Sequence, residues 1–151
     1  QQINYEDVKA VSNPFASLTN GSCIPGPTGG SGSGCLGGAN GAGFGWENMT
    51  IIKLGYEWQS DSDWTWRMGY SHADQPIANT EVLFNILAPG VVEDHFTFGF
   101  TRAIDSASDF NFAFMYAPNV SQSGLSPFDP AQTVNIEMDQ YELAASYSMR
   151  F

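Results

Sequence analysis

MDQYELAASYSMRF, residues 138–151, decides the fold class, because apolar and polar side chains alternate along it. A period of two is typical of a β-strand with two different faces. The alternation covers at least twelve residues, whereas soluble strands have roughly five or six and membrane-crossing strands need roughly nine to eleven. The length therefore favours a strand that crosses a membrane. One face holds Tyr141, Leu143, Ala145, Tyr147, Met149 and Phe151, and the other Gln140, Glu142, Ala144, Ser146, Ser148 and Arg150.

Composition limits the classes of partner. The 151 residues include 16 acidic and 5 basic side chains, for a net charge of −11, which argues against nucleic acid. The chain has no run of roughly 18 apolar residues, which excludes a transmembrane helix. The mean hydropathy of −0.19 is compatible with a barrel wall, because only half of such a wall is apolar.

Five further segments are predicted as strands: roughly 2–11, 49–58, 64–72, 95–103 and 109–117. Long loops at 12–47, 72–94 and 117–132 alternate with short turns at 60–63 and 105–108. Outer-membrane barrels show this asymmetry, with short periplasmic turns and long extracellular loops. Trp58, Trp64, Trp66 and Phe110 lie near the turns, where an interfacial aromatic girdle is expected.

The sequence therefore predicts an all-β protein, an antiparallel transmembrane β-barrel segment of about six strands. Six strands cannot close a barrel, since roughly eight is the minimum, and an open edge in lipid would leave backbone groups without partners. We expect the wall to continue in an N-terminal part of the same protein or in neighbouring chains. The alternative is a soluble extracellular β-sandwich that binds ligands.

Cys23 and Cys35 lie in the glycine-rich loop 12–47. They have no CxxC spacing and no nearby histidine, so a loop-closing disulfide is the predicted role. A disulfide implies an oxidising compartment.

Candidate chemistry is sparse. The two histidines, His72 and His95, lack a nucleophile motif, so no enzyme activity, metal site or cofactor is predicted; His72 is expected to be a solvated loop residue and His95 a polar residue of the barrel lumen. Glu57 and Arg67 should lie opposite each other across a hairpin whose turn is centred on Ser62, forming a structural ion pair that points into the lumen.

Ligand contacts are predicted in the loops. An apolar segment in the second loop should not be bare in water, so it either packs against the barrel mouth or lines a hydrophobic path. The ligand-binding candidates are Val82, Leu83, Phe84, Ile86 and Leu87, with Leu125 and Phe128 from the third loop.

Several ordered segments resemble a known family. INYEDVKAVSNP, GFGWENMTIIKLGYEW, DWTWRMGYSHADQPI, EVLFNILAPGVVEDHFTFGFT and the closing YSMRF are similar to the C-terminal portion of FadL-type outer-membrane transporters of long-chain fatty acids and other hydrophobic compounds. The resemblance covers nearly the whole chain outside the glycine-rich loop.

The resemblance implies a fourteen-stranded barrel in the bacterial outer membrane, blocked by an N-terminal hatch, through which a hydrophobic small molecule diffuses passively. The expected partners are this ligand, membrane lipid, the remaining N-terminal strands with the hatch, and the barrel-assembly machinery, for which Phe151 would be the recognition signal. The hatch and the early strands are missing here, which is expected of a piece of a longer protein. A surface-structural or receptor barrel without transport is the alternative.

Overall fold

The computed structural model describes residues 1–19, 32–36 and 38–150. The fold is all-β, with six strands in one antiparallel sheet, as predicted. Strand order follows the chain and the sheet is not closed. The strands are β1 (Gln2–Ile3), β2 (Met49–Gln59), β3 (Trp64–Ala73), β4 (Asp94–Asp105), β5 (Ser108–Leu125) and β6 (Thr133–Met149).

Two short turns join neighbouring strands and are closed by aspartate side chains. Between β2 and β3, Asp61 Oδ1 accepts hydrogen bonds from the backbone N–H groups of Asp63 at 2.8 Å and Trp64 at 2.9 Å. Between β4 and β5, Asp105 Oδ1 accepts from the N–H of Ala107 at 2.8 Å. These aspartates stabilise the turns by replacing backbone partners.

The strand predicted at residues 2–11 is wrong beyond Ile3. A 3₁₀ turn occupies Tyr5–Asp7 and a short helix, α1, occupies Lys9–Ser12. The backbone of this segment bonds to a loop instead of a strand: the carbonyl oxygen of Val11 accepts the N–H of Phe44 at 2.9 Å. Tertiary hydrogen bonds therefore override the local alternation.

The loop predicted at 117–132 is wrong over residues 117–125, which belong to β5. Ser121 and Ser123 donate from their hydroxyl groups to Asn135 Oδ1 on β6, at 2.9 and 2.7 Å. The connection between β5 and β6 is therefore confined to residues 126–132.

The chain divides into two compact units. The first, which we call the loop unit, comprises Gln1–Thr50, Asp74–Val91 and Ser121–Glu137. It contains most of the buried apolar side chains: Phe15, Ala42, Met49, Ile77, Val82, Val91 and Ile136.

Asn85 is the polar centre of the loop unit and is completely buried. Its Nδ2 donates to the carbonyl oxygens of Phe44 at 2.7 Å and Glu81 at 2.9 Å, and its Oδ1 accepts from Trp46 Nε1. One amide side chain thus satisfies polar groups from two chain segments, which is how buried polar groups are normally accommodated.

The second unit, which we call the sheet unit, comprises Ile51–Ala73, Val92–Val120 and Met138–Phe151. Its described large apolar side chains are half-buried or exposed, with Leu54 at 67% and Leu143 at 70% among the most exposed. In the sheet unit, the alternation of the sequence produces a two-faced sheet without a core of its own.

None of the described helices is long and apolar enough to span a membrane.

Replacement of Asn85 with leucine should loosen the loop unit. The Trp46 indole N–H and the Phe44 carbonyl would lose their partner, at about 1–3 kcal/mol for each buried group. We expect the amides of Phe44 and Gly45 to exchange hydrogen at least ~30-fold faster, the equivalent of about 2 kcal/mol. Leu87→Ala is the control, because that side chain is 74% exposed. Unchanged exchange in Asn85→Leu would show that the amide is not a structural centre.

Candidate functional site: a two-faced sheet and a loop cleft

The aromatic face of the sheet unit is built by cross-strand pairing in register. Trp66 pairs with Phe100, and Phe98 pairs with both Met68 and Phe114. Because all these positions share one parity along their strands, their side chains project from the same face. On β2 to β5 the aromatic face comprises Leu54, Tyr56, Trp58, Trp64, Trp66, Met68, Tyr70, Phe96, Phe98, Phe100, Phe110, Phe112, Phe114 and Tyr116.

Tryptophan concentrates at the turn end of the aromatic face. Trp64 and Trp66 stack with ring centroids 5.3 Å apart, and Trp58 lies 6.3 Å from Trp66. Phe100 contacts both Trp64 and Trp66 at 5.2–5.3 Å. Tyrosine marks the other end, where Tyr116 stacks on Tyr141 at 4.9 Å. Amphipathic rings at both ends of an apolar band are typical of membrane interfaces.

The opposite face, which we call the polar face, carries a hydrogen-bonded network across the strands. Arg67 Nε donates to Glu57 Oε2 at 2.6 Å, and its Nη1 donates to Thr101 Oγ1 at 2.7 Å. Thr101 in turn donates to Asn111 Oδ1 at 2.7 Å, and Asn111 Nδ2 donates to Ser148 Oγ at 3.4 Å. The network links β2 to β6.

The predicted partners Glu57 and Arg67 are thus paired in register across the hairpin. Their lumenal orientation stays a prediction. The alternation did not predict the three residues that extend the network, nor the ion pair from Arg150 Nη2 to Asp109 Oδ2 at 2.6 Å. Parity alone places these residues on the polar face, but it does not specify which of them bond.

The loop unit contains an open cleft of about 810 Å³. Its apolar lining includes Phe15, Leu125 and Phe128, and the rings of Phe15 and Phe128 meet edge to face at 5.6 Å. Glu81 also lines the cleft, and its Oε2 accepts the backbone N–H of Phe15 at 2.7 Å. Gly124 lies in the cleft wall so close to the backbone of Asn79 that a side chain would overlap it.

The predicted ligand contacts divide into two groups. Leu125 and Phe128 line the cleft and are 61% and 73% exposed. Val82 is buried, and the half-buried Phe84 packs on Phe44 with centroids 5.1 Å apart. Leu83 is half-buried, while Ile86 and Leu87 are exposed and are not part of the cleft lining. The apolar loop segment thus contributes mainly to packing within the loop unit.

His72 belongs to β3, as the predicted strand 64–72 has it, and the loop predicted to begin at residue 72 is wrong there. Its Nδ1 lies 2.8 Å from Asp94 Oδ1, which also accepts the Tyr70 hydroxyl at 2.7 Å. His95 is half-buried and pairs in register with Ser71. Within residues 1–19, 32–36 and 38–150, no cluster of three or more His, Cys, Asp or Glu side chains could hold a metal ion.

Cys23 and Phe151 lie outside the described residues. The Cys23–Cys35 disulfide and the terminal assembly signal therefore stay predictions.

Comparisons of the chain with protein-family models, with curated proteins and with solved structures find no match.

A double-mutant cycle with Glu57→Gln and Arg67→Gln should give a small coupling energy. The two side chains are 60% and 49% exposed, so solvent screens the pair and we expect less than about 1 kcal/mol, decreasing with added salt. Unfolding of the detergent-solubilised protein measures it. Lys53→Gln combined with Glu57→Gln is the matched control. Coupling of about 3 kcal/mol or more, or coupling unaffected by salt, would contradict this solvated geometry.

Proposed function

We propose that this chain forms part of the wall of an outer-membrane β-barrel, with the aromatic face in contact with lipid and the polar face enclosing the lumen. The barrel allows passive diffusion of hydrophobic compounds across the outer membrane. The sequence resemblance to FadL-type transporters supports this proposal, with a total of about fourteen strands.

The exposed aromatic face is the observation that carries the proposal. Phe98, at the middle of β4, is 39% exposed, and Tyr147 on β6 is 57% exposed. A soluble sandwich would cover such a face with a second sheet about 10 Å away. In lipid, the same side chains need no protein partner, because the acyl chains cover them.

The open sheet supports a wall that continues beyond these strands. β1 covers only Met49 and Thr50 of β2, and β6 is the last strand of the sheet. Unpaired backbone groups cost several kcal/mol each in hydrocarbon. Further strands, from the same protein or from neighbouring chains, would pair with both edges.

The loop cleft supports the choice of ligand. Among the described residues, its lining contains phenylalanine, leucine and proline but no lysine, arginine or histidine. The carboxylate of Glu81, which also lines the cleft, would repel an anionic head group. The cleft therefore suits a neutral hydrophobic compound better than a fatty-acid carboxylate. Entry would be driven by transfer of apolar surface out of water.

Charge on the aromatic face should block membrane insertion. We expect Phe98→Asp to lower the fraction of protein that inserts into phospholipid vesicles by about tenfold, because an acidic side chain near the bilayer centre costs somewhat less than the about 2–4 kcal/mol of a basic one and about 1.4 kcal/mol is a factor of ten. Thr97→Asp is the matched control, since the neighbouring residue lies on the polar face. Flotation of vesicles with bound protein measures insertion. Equal losses in both variants, or none in either, would refute the assignment of the faces.

Truncation of the cleft should weaken ligand binding without unfolding the loop unit. For Leu125→Ala combined with Phe128→Ala, we expect roughly tenfold weaker binding of pyrene, since each side chain loses apolar contact area. Fluorescence titration measures binding, with a pyrene-labelled fatty acid as the anionic comparison. Ile86→Ala, outside the cleft lining, is the control. Unchanged pyrene affinity in the double variant would exclude the cleft as a binding site.

A further inference from the structure

Arg102 is a cation near one end of the aromatic face. It lies near the turn end of β4, in register with Trp64 on one side and Phe110 on the other. Its Cζ is 5.2 Å from the centroid of the Trp64 ring. The tryptophan face holds the guanidinium by a cation–π contact while leaving its N–H groups available.

The other arginines of the chain have acidic partners. Arg67 pairs with Glu57 and Arg150 with Asp109, both at 2.6 Å. Within the part of the chain that the structure describes, no carboxylate forms an ion pair with Arg102, whose side chain is exposed. Its charge is therefore available to an external anion.

The aromatic face itself carries opposite charges at its two ends, although the turns beside Arg102 contain Asp61 and Asp105. At the end opposite Arg102, Asp94 lies in β4 on the same face and bonds to His72 and Tyr70. Asp94 and Arg102 are eight residues apart in the sequence, or about 26 Å along the strand. With a strand tilt near 40°, this corresponds to about 20 Å across the membrane, close to the ~25 Å apolar band of outer-membrane barrels.

We propose that Arg102 and Trp64 form a binding site for the phosphate of an anionic phospholipid head group, in the leaflet next to the short turns. The proposal rests on the proposed membrane function. A long arginine side chain near the edge of an apolar band can extend its head to the interface. There its planar guanidinium can form paired hydrogen bonds with phosphate oxygens. The acidic end would not attract the same head group.

Lipid selectivity tests this site in the full protein. The protein is reconstituted into nanodiscs with equal amounts of phosphatidylglycerol and phosphatidylcholine, and the lipids retained are counted by native mass spectrometry. We expect about fivefold preferential retention of phosphatidylglycerol, because one basic residue near an anionic membrane surface contributes about that factor in affinity. Arg102→Gln should abolish the preference, and Arg102→Lys should keep part of it.

Lys53→Gln is the matched control, because it removes the same charge from the polar face, where Lys53 pairs in register with Ser71. It should retain the wild-type preference. A preference that survives in Arg102→Gln, or is lost equally in Lys53→Gln, would overturn the site. Loss of the wild-type preference on addition of inorganic phosphate would identify a free-anion site instead and would also overturn it.

Failure of this site is distinguishable from failure of the proposed function. A wild-type protein that inserts into both lipids without preferring phosphatidylglycerol refutes the head-group site alone. A wild-type protein that enters neither bilayer refutes the membrane assignment on which the site depends.

Discussion

The structure depends on one constraint: the aromatic face has no protein layer over it in the sheet unit. Exposure of apolar side chains to water costs about 25 cal/mol per Å², so such a sheet would be unfavourable in water. Contiguous exposed apolar surfaces of this kind mark interaction sites. The proposed contact with hydrocarbon would remove this cost. The same proposed contact would account for the stacked tryptophans at the turn end of the face and for the Tyr116–Tyr141 pair at the other end.

The loop unit has a different requirement, because the polar groups of its irregular backbone need hydrogen-bond partners within the unit. Asn85 and Glu81 do so with side-chain hydrogen bonds to backbone groups of distant segments. Gly45, with φ of 64°, provides the left-handed conformation needed beside Glu81, where any side chain would overlap that carboxylate. The loop unit is thus a folded structure with a core of its own, and the proposed ligand cleft is built on it.

Sequence periodicity predicted the regular part of the fold well and the irregular part poorly. In β2 to β5, alternation correctly predicted which side chains share a face of the sheet, because successive residues of a strand point to opposite faces. The first segment failed, since Val11 and its neighbours bond to a loop more than thirty residues away. The prediction also failed at the end of β5, because residues 117–125 were assigned to a loop. β4 pairs with β5 only up to Tyr116, so the missing N–H of Pro118 is tolerated there.

The candidate site was only partly accessible to sequence analysis. Leu125 and Phe128 were chosen for their apolar character in a polar loop, and they line the cleft. Phe15, which also lines the cleft and contacts Phe128, is distant in sequence and carries no local signal. Similarly, Arg102 occupies a position on β4 that the alternation assigns to the aromatic face. Its contact with Trp64 depends on the register of the neighbouring strand, which alternation does not specify.

The central claim concerns which face of the sheet meets hydrocarbon. A nitroxide spin-label scan of residues 96–101, in the full protein reconstituted in lipid, tests it most directly. We expect collision with oxygen to be greatest at positions 96, 98 and 100, and collision with a water-soluble nickel reagent to be greatest at 97, 99 and 101. A profile without this alternation, or with the two sets of positions reversed, would contradict the account.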